Sequence, residues 1–130
     1  MNRLLAVAAA IEAITGLVLL IDPSFVASLL LGNVMSGTGV AIGRVAGIAL
    51  IALGLACWPK SSVGNAAVAG CRAMVMYNLL TSIYLSYIGI RGQWVGVLLW
   101  PAVTIHGLLT LLLVRSWFKK KQTQDLASQQ

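Results

Sequence analysis

Four stretches of about 20 apolar residues, each poor in charge, constrain this chain more than any other feature. A helix needs roughly 20 such residues to cross a hydrocarbon core ~30 Å thick. The stretches are Leu4–Ile21, Val40–Trp58, Ala66–Ile90 and Val95–Trp117, which use most of the 130 residues. The sequence therefore predicts an all-α fold, a bundle of four transmembrane helices in which residues 1–118 form a single domain.

The composition excludes an ordinary soluble domain. Hydrophobic residues make up 59% of the chain and charged residues only 9%, whereas soluble domains carry about 25% charged residues. Arg3 before an apolar run resembles the start of a signal peptide, but Glu12 interrupts the run and no small-x-small cleavage site follows closely. We therefore interpret the first stretch as a membrane span.

The distribution of positive charge predicts the orientation. Lys and Arg concentrate on one side of the predicted bundle, at Arg3, Lys60, Arg72, Arg115 and Lys119–Lys121. The other side has only Arg91, together with Arg44, whose long side chain can extend to that surface. The positive-inside rule then places both termini and the second loop in the cytoplasm, as expected for a multi-pass protein of the cell (inner) membrane.

The polar end of the chain is predicted to be a disordered cytoplasmic tail over residues 119–130. Its Lys119–Lys121 run favours contact with anionic membrane lipid. The net charge of +6 is otherwise scattered and lines no surface, which argues against nucleic acid as a partner.

Proline, aspartate and glycine predict where helices begin, end or bend. Asp22 is a good helix N-cap and Pro23 suits the first helical position, so a short interfacial helix is expected over Ser24–Leu31, ending at Gly32. A kink is expected at Trp100-Pro101 in the fourth span, because proline removes a backbone donor.

Glycines in the second span predict close helix packing. Gly39, Gly43 and Gly47 recur every four residues, and Gly54 follows seven later. Such spacing aligns bare backbone along one stripe of a helix and lets another helix approach. The spacing leaves open whether that helix belongs to the same chain or to a second copy.

Polar residues inside the spans are the candidate functional site, because ionisable groups at membrane depth cost free energy unless they are paired or wetted. The number of residues from the end of each span gives the depth of its polar side chain. From these depths we expect a convergence on one pocket of Glu12, Arg44, Asn78 and His106. The predicted ligand-binding cluster comprises Glu12, Thr15, Arg44, Tyr77, Asn78, His106 and Thr110. The alternative is purely structural: Glu12 and Arg44 form a buried ion pair, and Asn78 and His106 join helices by hydrogen bonds.

Other chemistries are poorly supported. A single histidine rules out bis-histidine haem ligation within one chain, and Met74 and Met76 lie toward the cytoplasm in another helix, which argues against haem. Cys57 and Cys71 lack the neighbouring ligands of a metal site and are expected to be small buried hydrophobes. We predict no catalytic residues and no metal.

The first half of the chain resembles small four-helix membrane proteins of the DoxX-like type. The resemblance is carried by the run Glu12–Leu20, by Pro23, by Leu29–Gly32, and by Gly43-Arg44 and Gly47. It implies a four-helix bundle, and some relatives are linked to quinone-dependent electron transfer. The second half, with Asn78 and His106, matches no motif of that family.

The chain is also similar to the small multidrug resistance transporters, which have four spans and an acid midway along the first helix, here Glu12. In that family the acid binds a proton and a cation alternately within an antiparallel dimer. This chain departs from the pattern in its long first loop with Pro23, in Arg44, and in its strong charge bias.

These observations predict an accessory or binding subunit, without catalysis of its own, for a quinone- or lipid-like amphiphile or for a partner membrane protein. One alternative is a proton-coupled exporter of the small multidrug type, and another is a purely structural assembly subunit. Homo-oligomerisation is compatible with each of the three.

Overall fold

A computed structural model describes residues 2–59 and 65–127, with side chains over 3–59 and 68–119. Within these ranges the chain is all-α, with helices α1 (Asn2–Ile21), α2 (Pro23–Leu31), α3 (Thr38–Ala56), α4 (Asn65–Arg91) and α5 (Leu99–Ala127). All but α2 are long and apolar enough to cross a membrane. The predicted multi-pass helical architecture, with a short helix between the first two spans, is confirmed. The second loop, which follows the second span, lies largely at residues 60–64, outside the described residues.

The short helix α2 begins and ends as its sequence predicts. The Asp22 carboxylate accepts a hydrogen bond from the Phe25 backbone N–H at 3.0 Å, and Pro23 occupies the first helical position. Gly32 ends the helix in the left-handed conformation, at φ 69°. These caps satisfy backbone groups that the helix itself leaves unpaired.

The four long helices form two close pairs. α1 packs along α3, α4 packs along α5, and α1 also contacts both members of the second pair. α2 crosses one end of the bundle, where it contacts α1, α3 and α5. We call this the α2 end, and the opposite end, where α1 begins and α5 ends, the terminal end.

The α1–α3 contact is a seam of glycines. A Cβ atom on Gly47 would lie 2.6 Å from the Gly16 carbonyl oxygen, and one on Gly54 would lie 2.6 Å from the Ala9 carbonyl oxygen. Gly43 is equally close to the Pro23 ring. The partner of these three glycines is therefore in the same chain. Gly39 differs, since a Cβ there would meet only Met35, at an ordinary 3.6 Å.

A backbone contact ties α2 to the connection between α4 and α5. The N–H groups of Gly96 and Leu98 donate to the carbonyls of Leu30 and Leu29, at 2.9 and 2.8 Å. A Cβ on Gly96 would overlap the Leu29 carbonyl, so only glycine allows this approach. We call this contact the α2 clasp; it fixes the C-terminal end of α2 over the bundle.

The core lies toward the terminal end. It contains Leu5, Ala8, Ala9, Cys57, Cys71, Met74, Leu109 and Leu113. Both cysteines are buried and unbonded, as expected for small hydrophobes. Nearby, the Arg72 guanidinium lies 5.2 Å from the centre of the Trp117 ring.

Two expectations for the last helix differ from the structure. The predicted kink at Trp100-Pro101 is wrong, because α5 begins at Leu99 and Pro101 falls in its first turn, where the missing N–H has no helical partner to lose. The tail was expected to be disordered from residue 119, but α5 continues to Ala127. Lys, Gln, Leu and Ala favour helix, and extending a helix needs no new nucleus.

Candidate functional site

A group of polar side chains lies where α1 meets α4 and α5. Glu12, Asn78 and His106 come from these three helices, and the side chains of Glu12 and Asn78 are buried. Glu12 and Asn78 stand midway along their helices, and His106 stands seven residues into α5. Helix packing therefore carries the three polar groups into contact with each other at depth, where partners replace water.

Asn78 fixes the orientation of His106. The Asn78 Nδ2 group donates to the Met74 carbonyl at 2.9 Å, so the amide oxygen faces the ring and lies 2.7 Å from His106 Nδ1. An amide oxygen only accepts, and Nδ1 is therefore the protonated nitrogen. In the neutral ring this leaves Nε2 as a free hydrogen-bond acceptor.

Glu12 lies beside this hydrogen-bonded pair. Its Oε1 atom is 3.7 Å from His106 Nδ1, which is ion-pair distance but too long for a hydrogen bond. Only 1% of Glu12 is exposed, and among the described residues its Oε1 has no hydrogen-bond partner. A buried acceptor without a donor costs free energy, so this is the least satisfied polar position of the site.

Tyr77 completes the group. Its ring meets the His106 ring edge to face, with centroids 5.9 Å apart. Its hydroxyl lies beside the Glu12 carboxyl and the Thr81 side chain. Tyr77 thus offers a hydroxyl to the acid while its ring supports the imidazole.

A partly open cavity of about 380 Å³ reaches this polar group from the α2 end. Its polar lining consists of Thr15, Tyr77, Thr81 and His106. The remaining wall is aliphatic and aromatic, and Phe25, Val26, Leu29 and Leu30 of α2 cover it. His106 stands seven residues into α5, about 10 Å below the helix start. The polar groups therefore lie at the deep end, where Ile11 and Ile105 also line the cavity, and the wall toward the α2 end is apolar.

The predicted site residues other than Arg44 fall into three groups. The structure brings Glu12, Tyr77, Asn78 and His106 together. Thr15 lines the cavity nearby. Thr110 is buried, but its hydroxyl donates to the carbonyl of His106 in its own helix at 2.8 Å, so it contributes no free group.

Arg44 lies apart from this group. It is exposed on α3 near the α2 end, and the basic side chain that lies near Glu12 among the described residues is His106, at 3.7 Å. The Glu12–Arg44 pair anticipated as an alternative is thus absent from the part of the chain that the structure describes. The reason is geometric: Gly43 and Gly47 face α1 and α2, which turns their neighbour Arg44 outward.

Sequence reasoning missed parts of the surroundings. Gly16, the α1 partner of the glycine seam, could have been found from Ala9, Ala13 and Gly16, which set small residues on one helix face. The α2 clasp through Gly96 had no local signal, because it joins segments more than 60 residues apart, which only the folded chain brings together.

The arrangement can hold a compact polar head in an otherwise apolar cavity. Its groups for a ligand are the imidazole acceptor and the Thr15 hydroxyl, and no Lys or Arg stands among the described lining residues. This set is suited to a neutral hydrogen-bonding group rather than to an anion. Comparison of the chain with protein-family models, curated proteins and solved structures found no match. Any functional assignment therefore depends on the geometry of the site.

Proposed function

We propose that this multi-pass membrane protein is an accessory subunit that binds a quinol-like amphiphile, with the head beside His106 and the tail toward α2. The observation that carries the proposal is the cavity, which is apolar over most of its wall and polar at its deep end. Ligand sites typically have volumes of about 300–1,000 Å³ and a few polar groups in an apolar lining.

The chemistry of the deep end favours a head that donates hydrogen bonds. The free Nε2 of a neutral His106 accepts, and a hydroxyl of a quinol would supply the donor. A charged head would have to lose its hydration at this depth without a cation to replace it. The DoxX-like resemblance, which implies a link to quinones, points in the same direction.

The exporter alternative receives less support from the geometry. Glu12 is enclosed by helices of its own chain and is 1% exposed. An exporter of the small multidrug type needs its acid to meet both a proton and a cationic substrate. A structural assembly subunit, in contrast, would need the polar group but no cavity.

A binding experiment tests the proposal. Binding of a decyl-substituted benzoquinol to the purified protein in detergent is measured by isothermal titration, beside its bis-methyl ether, which has no hydroxyl donors. We expect the quinol to bind more tightly than the ether. Thr15→Val should weaken quinol binding by roughly 2–10-fold, which corresponds to a hydrogen bond of about 0.5–1.5 kcal/mol.

Matched variants locate the binding. Ala102→Phe adds a ring inside the cavity, whereas Ala49→Phe adds one to the exposed surface of α3. Thr104→Val, at an exposed hydroxyl bonded to its own helix, is the control for Thr15. Loss of binding in Ala102→Phe but not in Ala49→Phe supports the proposal. Equal binding by all variants, or equal affinity for quinol and ether, refutes it.

A further inference from the structure

A second cavity, distinct from the first, opens at the α2 end beside the C-terminus of α4. Its volume is about 450 Å³. Leu30, Leu31, Leu85 and Ile88 form an apolar part. Leu30 and Leu85 also line the first cavity, so they stand between the two. Nothing in the proposed quinol site uses the remaining lining residues.

The rim of this second cavity combines aromatic rings with one cation. Tyr84, Tyr87 and Trp94 are about half exposed or more, and Arg91 and Gln93 lie next to them. The Arg91 guanidinium lies 6.0 Å from the centre of the Tyr87 ring, which holds it at the rim. Tyrosine and tryptophan in spanning helices concentrate at the headgroup level of a bilayer.

This pattern suits the two parts of a phospholipid. A guanidinium offers several donors in a planar fork that matches phosphate oxygens, and the Gln93 amide adds further donors. Below them, the leucines and Ile88 offer apolar surface at the level where acyl chains begin. Neutralising the C-terminal dipole of α4 would explain a cation at position 91, but it would not explain the cavity beside it.

We infer that this second cavity, with Arg91 at its rim, binds the headgroup of an anionic phospholipid from the leaflet at the α2 end. Charge complementarity favours an anionic lipid over a zwitterionic one, and the apolar part favours a lipid over a free phosphate. The inference goes beyond the proposed quinol site and involves different polar residues, so either can fail alone.

The test compares two exposed arginines at the same end of the bundle. Arg91→Gln removes the cation from the cavity rim, and Arg44→Gln removes one from α3 outside the cavity. Native mass spectrometry then gives the affinity of each variant for phosphatidylglycerol and for phosphatidylcholine. We expect Arg91→Gln to lose about fivefold in affinity for phosphatidylglycerol, as for one interfacial cation. Arg91→Lys should lose less, and Arg44→Gln should match wild type.

A second readout gives the location. Phosphatidylglycerol brominated near the headgroup should quench Trp94, measured as the difference between wild type and Trp94→Phe, and this quenching should fall in Arg91→Gln. Equal losses of affinity in Arg91→Gln and Arg44→Gln would overturn the inference, since they indicate unspecific attraction. So would displacement of the lipid by millimolar inorganic phosphate, which indicates a free-anion site.

Discussion

The two sides of α1 are built in opposite ways. Toward α3, Gly16 meets Gly47 so closely that no Cβ fits between the backbones. Toward α4 and α5, the same helix presents Glu12 and Thr15 to a polar group and a cavity. Without a hydrophobic driving force in lipid, close van der Waals contact is what holds helices together. The comparison suggests that the glycine seam fixes α1 firmly enough for its other side to tolerate polar groups and open volume.

The largest effect is expected at the glycine seam. Gly47→Leu should destabilise the protein by about 3 kcal/mol, the upper part of the usual range for overpacking, because its Cβ would meet backbone rather than a mobile side chain. Thermal unfolding in detergent measures this loss. Gly39→Leu is the control, since only Met35 lies near it. If both variants unfold like wild type, the seam does not hold α1.

The polar side should respond less strongly. His106→Phe keeps a ring but leaves the buried Asn78 amide oxygen without its partner, which costs about 1–3 kcal/mol. A cycle with Asn78→Leu should give a coupling free energy of up to about 1.7 kcal/mol, the upper limit for such pairs in one membrane protein. Thr110→Val, whose hydroxyl bonds its own helix, serves as the control. Additive losses of stability would indicate that His106 and Asn78 do not interact.

The α2 clasp should be weaker still, because it closes one end only. Gly96→Ala would force the Gly96 and Leu98 N–H groups away from α2, for a loss of about 1 kcal/mol. Hydrogen exchange at Leu98 should rise while the amides at the centre of α1 stay protected. Gly107→Ala, where a Cβ makes an ordinary contact 3.5 Å from Ser82, is the matched control. Unchanged exchange at Leu98 would argue against the clasp.

The smallest effect is expected between the polar group and Arg44. Because Arg44 is exposed and the basic side chain beside Glu12 is His106, the effects of Glu12→Gln and Arg44→Gln on stability should be additive within about 0.5 kcal/mol. Arg44→Gln alone should leave stability within about 0.5 kcal/mol of wild type. A larger coupling free energy between the two substitutions would indicate that Glu12 and Arg44 do form an ion pair. Loss of proton-coupled export in Glu12→Gln, with the fold sound, would favour the transporter alternative.

The sequence was sufficient for the parts of the fold that depend on local chemistry. Span lengths follow from apolar runs, and the start of α2 follows from Asp22 and Pro23. Pro101 was not predictable in this way, because a proline kinks a helix only when it lies beyond the first turn. Whether it does so depends on where α5 begins, after the connection at residues 92–98. The lysines after Phe118 predict a solvated tail, although a helix already formed can continue through them.

The candidate site was only partly predictable. Depth along each helix brought Glu12, Asn78 and His106 to one level, and the structure places them together. Depth alone does not give the direction of a side chain around its helix. The sequence therefore places Arg44 in the polar group, although α3 turns its side chain away from that group. The cavity was also not predictable from the sequence, because its shape depends on how α2 lies across the bundle.

Photo-crosslinking shows whether the side of α1 that faces α4 and α5 holds an amphiphile. A benzoquinol carrying a diazirine on its ring is activated in membranes that contain the protein, and labelled residues are located by mass spectrometry. We expect labels on Thr15, Thr81 and the peptide around His106, which unlabelled decyl benzoquinol should displace and which should be absent in Ala102→Phe. Labels spread over the exposed face of α3, unaffected by competitor, would contradict it.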